Sequence, residues 1–224
     1  MDSENTKIGL ARHKLCDTKL GMTTAEQAAE DLKAIRSLME KATVYRAISA
    51  PSALAAGLMC WMATLLIYFV PISSRTPVFL ACWGSVLALS SLANACFLWR
   101  ASKLRGEEFV SPGMRVALRS LLPPMLAGGI FSLWLLFKTG DTTTTVNLWI
   151  LFYGLALLTT QEFAPRSIAL LGWAFTLTGL AIFIWGGDIL VHVWQPSTIL
   201  MALTFGSYHI VYAILAWPRN QTTE

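Results

Sequence analysis

Between Pro51 and Val70 the chain runs for 20 residues without a charged side chain. Such a stretch has no settled place in water. As a helix rising 1.5 Å per residue it covers about 30 Å, the thickness of a bilayer's hydrocarbon core. Five more long apolar runs follow, and with the first they predict membrane spans at about 51–70, 77–99, 117–137, 146–163, 167–185 and 198–217. Charged residues make up only 13% of the 224, about half of what a soluble domain uses to cover itself against water. The expected fold class is all-α: a polytopic membrane protein of six transmembrane helices in short-loop hairpins, preceded by a cytosolic amphipathic helix.

The charge that remains is sorted by position. Eight of the 17 Lys and Arg fall in the first 46 residues. Placing the amino terminus in the cytosol leaves 15 of the 17 on that side and only Arg75 and Lys138 on the other. Positive residues are retained on the cytosolic side, so both termini are expected there. A bacterial inner membrane is the expected location for so compact a multi-pass chain. The net charge of +4 then reads as orientation, and no nucleic-acid partner is implied.

Residues 1–22 are polar and without periodicity, the pattern of a disordered cytosolic tail. Thr23-Thr24-Ala25-Glu26 has the form of a capping box. Ala25, Ala28, Leu32, Ile35, Met39 and Ala42 follow at spacings of three and four, a narrow heptad stripe on an amphipathic helix over 23–47. Leu32, Ile35 and Met39 are its large members and form a candidate docking stripe. A short helix with one apolar edge is marginal alone in water, so the stripe calls for something to rest on. The simplest answer is the bundle's own cytosolic face. Self-association as a short coiled coil, or a partner protein, comes next. Flat binding to lipid is least suited to an alanine-rich stripe without Trp or Phe. Pro51, which has no amide proton, separates this helix from the first span.

Within the third span Pro123-Pro124 and Gly128-Gly129 predict a kink. A small residue stands six positions before a Trp in each outward-going span (Ala55 and Trp61, Gly128 and Trp134, Gly179 and Trp185). The plain reading of that pattern is close helix packing with interfacial Trp.

Polar groups inside lipid are costly and draw attention to function. Arg119 and Glu162 lie within a turn or so of the cytosolic boundary. Asn94 sits about 7.5 Å in from Trp99, and His209 about 12 Å in from Trp217, at 1.5 Å per residue. With Tyr208 these form a candidate intramembrane polar cluster: Asn94, Arg119, Glu162, Tyr208 and His209. One reading has Arg119 paired with Glu162 and His209 lining a ligand or proton site. The simpler one has Arg119 reaching to the interface, Glu162 paired with Arg166, and His209 bonded to nearby backbone. Asp188 and His192, four apart, are too few for a divalent metal site. Four scattered cysteines form no CxxC, His209 has no facing intramembrane histidine for haem, and no nucleophile motif is present. No catalytic residue, metal or cofactor is therefore expected. The sequence reads as a non-enzymatic membrane protein whose amino-terminal helix is a docking or regulatory element. The alternative is a small-molecule or ion transporter, or a channel subunit, with a cytosol-facing polar cavity.

Overall fold

A computed structural model describes residues 26–32, 50–69, 76–106, 109–110, 112–162, 164–190 and 192–217. The chain divides into two units, Met1–Glu40 and Lys41–Glu224. In the first, residues 26–32 are helical and exposed. They carry Leu32 of the heptad stripe; Ile35, Met39, the rest of the expected 23–47 helix and the 1–22 tail lie outside the described residues.

The second unit is built of helices, with no strand among the described residues. They are α1 (Ala50–Phe69), α2 (Thr76–Arg105), α3 (Pro112–Thr139), α4 (Thr142–Leu158), α5 (Arg166–Leu190) and α6 (Pro196–Ala216). All but α4 are long and apolar enough to cross a membrane by length and composition, and α4 is a shorter apolar helix. Several helices outrun the charge-free stretches that predicted them. The backbone ladder continues under Lys103 and Arg105 because those side chains can point to water. α2 ends at Gly106, whose φ of +67° no side-chain-bearing residue adopts easily. α3 opens on Pro112, a residue preformed for the first helical turn. It closes with Gly140 at φ +70°, whose N–H donates to Leu136 O at 2.8 Å.

Asp141 begins the next helix. Its carboxylate accepts from the amides of Thr143 (2.9 Å) and Thr144 (3.0 Å) and from the Thr144 hydroxyl (2.5 Å). These bonds satisfy amides that have no intrahelical partner. Asp141→Ala is expected to lower stability by about 1 kcal/mol, and Asp141→Asn by less; equal thermal melting of Asp141→Ala and wild type in detergent would contradict this.

Contacts order the helices. α4 packs closely on α5 and on α3, α1 packs on α6 and on α2, and α6 joins the two groups through α4 and α5. The buried core follows the same line, with Phe79 and Trp83 from α2, Val146 and Ile150 from α4, and Phe175 from α5. α2 and α3 are the outlying helices. Only 11% of α2's apolar window is buried, against 44% of α6's. Their outward residues include Leu87, Leu92, Leu126, Ile130 and Phe137, side chains that lipid covers without cost.

α3 continues through Pro123 and Pro124 as one helix. The irregular turn is in α6, where Ala202–Gly206 form a π-helical turn between the α-helical stretches Pro196–Met201 and Ser207–Ala216. Proline signals a missing amide, but nothing in the composition of Ala-Leu-Thr-Phe-Gly signals a widened turn. It is set by what α6 packs against.

Candidate functional site: a buried tyrosine–histidine pair

The π turn leads directly into the most polar part of the buried interior. His209 is buried, and its Nδ1 is 2.8 Å from Phe205 O. A carbonyl only accepts, so Nδ1 carries the proton. Nε2, 2.9 Å from the Tyr153 hydroxyl, then accepts from it in the neutral ring. Beside it the Tyr208 hydroxyl meets Thr178 Oγ1 at 2.7 Å. Three helices thus contribute: α4 gives Tyr153, α5 gives Phe175 and Thr178, and α6 gives Phe205, Tyr208 and His209.

Aromatic rings close the space around these bonds. Tyr153 lies edge-on to Phe175, with centroids 4.9 Å apart, and 5.2 Å from Phe205. Phe175 lies edge-on to Tyr208 at 5.1 Å, and Phe205 stacks on His209 at 6.2 Å. These are the separations of rings in direct contact. The group is a packed polar-aromatic cluster with its hydrogen bonds satisfied internally, as a low-dielectric interior demands.

The five candidates from the sequence fall into three places. Tyr208 and His209 share the cluster just described. Arg119 and Glu162 lie at another corner, where Thr159 Oγ1 donates to Ser120 O at 2.9 Å and ties the ends of α3 and α4 together. Both are exposed, and no ion pair joins them or joins Glu162 to Arg166 among the described residues. Asn94, on α2, is partly buried, and its Oδ1 has no partner. The structure therefore does not bring Asn94, Arg119 and Glu162 to His209. No group of three His, Cys, Asp or Glu side chains gathers among the described residues.

Tyr153, Phe175, Thr178 and Phe205 were absent from the sequence-derived cluster. The available signal was weak: Tyr153 is a lone hydroxyl in an apolar run, with nothing to show that α4 stands beside α6. Two further residues also escaped notice. Asn147 of α4 and Thr198 of α6 are 2% and 1% exposed, and Asn147 Oδ1 and Thr198 Oγ1 lack partners. Both belong to the opposite end of the bundle, where Thr142 Oγ1 donates to Ser197 Oγ at 3.2 Å.

Fold and cluster together define a multi-helix membrane protein with a buried hydrogen-bonded core. No family model matches the chain, and neither the curated proteins nor the solved structures contain a match.

Proposed function

We propose that the chain is a non-enzymatic, six-span integral membrane protein with both ends in the cytosol, in which the amino-terminal helix is a docking or regulatory element. The observation that carries the non-enzymatic reading is the engagement of His209: both ring nitrogens are taken by Phe205 O and Tyr153, so no free base faces a substrate. Tyr208 is likewise held by Thr178. The sixth span is α4. Its 17 residues rise about 26 Å, short for a bilayer core but tolerated by local thinning. A crossing by α4 lets every hairpin alternate sides, which agrees with the positive charge at one face. Leu32, 65% exposed, is the described part of the stripe that would dock.

A second reading, a transporter or channel subunit, draws support from Asn147 and Thr198 and from the π turn. Unpartnered buried oxygens and interrupted helices are features of membrane binding sites. Flux separates the two. Proteoliposomes holding the full chain are expected to pass protons and potassium no faster than protein-free vesicles. A flux that Asn147→Leu abolishes would replace the first reading with the second. Docking is tested by disulfide crosslinking of Ile35→Cys in a chain with Cys16 and Cys96 changed to Ser. A covalent dimer identifies a second copy as the partner of the stripe, and a monomer favours the chain's own bundle.

A further inference from the structure

α4 and α6 start at the same end of the bundle and run in the same direction, pinned together at two levels. Near their starts Thr142 bonds Ser197, 55 residues apart in sequence; deeper, Tyr153 bonds His209, 56 apart. Between the pins α4 advances from 142 to 153, 11 residues, and α6 from 197 to 209, 12 residues. Two regular α-helices rise equally. They would reach the second level one residue out of register, about 100° and 1.5 Å. The π turn lies between the pins, and its i→i+5 bonding takes one residue more per turn than i→i+4. The extra residue of α6 and its π turn are one feature.

The widened turn is held by side chains. Thr204 Oγ1 donates to Leu200 O at 2.6 Å, the Cys60 thiol of α1 to Met201 O at 3.2 Å, and Ser207 Oγ to Ala202 O at 3.2 Å. His209 Nδ1 donates to Phe205 O, and Tyr153 and Thr178 hold the next turn from outside. A regular α-helix of the same residues would need none of these to complete its ladder.

We propose that the π turn Ala202–Gly206 is a one-residue register latch: the Tyr153–His209 and Thr178–Tyr208 bonds hold Ser207–Ala216 in the advanced register, and breaking them lets that segment rotate back into an unbroken α-helix. The latch is a conformational device at the junction of α1, α4, α5 and α6. It converts the loss of one or two buried hydrogen bonds into a movement of the whole second half of α6.

The test uses the full chain in lipid nanodiscs. Tyr153→Phe keeps the ring and removes the hydroxyl. It is expected to raise amide hydrogen exchange across 203–209 by about tenfold, the equivalent of one net hydrogen bond, and Thr178→Val acts in the same direction. Deleting Leu203, 52% exposed, removes the extra residue without removing a core side chain. In that background Tyr153→Phe is expected to change the unfolding equilibrium less than about twofold, against about tenfold in the intact chain. Unchanged exchange in both Tyr153→Phe and Thr178→Val overturns the latch. So does an equal effect of Tyr153→Phe with and without Leu203. If Tyr153→Phe does not fold, Thr178→Val serves for both comparisons.

Discussion

Gly154→Leu is expected to yield no monodisperse protein, and Gly154→Ala to melt lower by the equivalent of about 1–3 kcal/mol. A Cβ on Gly154 would stand 2.5 Å from Thr176 N and Oγ1 and 2.9 Å from Gly172 O. Two of those three atoms are backbone and cannot turn aside. The same seam runs on through Gly172, whose Cβ would meet Leu157 Cβ at 3.1 Å, and Gly179, whose Cβ would lie 3.0 Å from Leu151 Cα. α4 and α5 touch backbone to backbone, the mode of association open to helices that gain nothing from hiding apolar surface from lipid. Gly84→Leu is the control. Nothing lies within 4 Å of its added Cβ, so the variant should melt at or above wild type, since glycine weakens a helix interior. Size-exclusion profiles and melting curves in one detergent decide the matter. A well-folded Gly154→Leu would mean that α4 and α5 do not meet at this glycine.

His209→Leu is the second large effect. The substitution removes the acceptor of the Tyr153 hydroxyl and the donor to Phe205 O at once. Each stranded polar group in a dry interior costs about 1–3 kcal/mol. Partners found in the membrane-embedded unfolded state reduce such costs, so a total of about 2–3 kcal/mol is expected. Tyr153→Phe in the His209→Leu chain should recover part of the loss, because a site stripped of both partners holds no stranded hydroxyl. Steric or chemical unfolding in mixed micelles measures both. A double variant no more stable than His209→Leu would show that the Tyr153 hydroxyl is not held by His209.

Composition carried much of the architecture. A charge-free run of the length of Pro51–Val70 can do little but cross a bilayer, and the described helices follow the apolar runs closely. Tyr208 and His209 could be singled out because polar side chains are rare at that depth. Their partners could not. Tyr153 and Thr178 are ordinary residues until α4 and α5 are placed beside α6, and hydropathy says nothing about which helices are neighbours. The π turn was invisible for the same reason: it answers to the spacing between two tertiary hydrogen bonds. Pro123 and Pro124 gave the strongest local signal for irregularity, yet α3 carries both within one helix. Arg119 and Glu162 could be placed near one boundary by position, but pairing is a matter of side-chain aim, which one-dimensional depth does not determine.

The outlying positions of α2 and α3 bear on how the protein is made. A ribosome delivers α1, α2 and α3 first, and the close-packed centre is assembled from α4, α5 and α6, which come last. α1 finds its seat against Gly206 and Ile210 only when α6 has been inserted. At 5–20 residues per second that wait is roughly 10–30 s. During it the early helices must persist in the bilayer as separate, lipid-solvated spans. Their bulky outward side chains suit them to that interval, and the glycine seams stay unused until the last hairpin arrives.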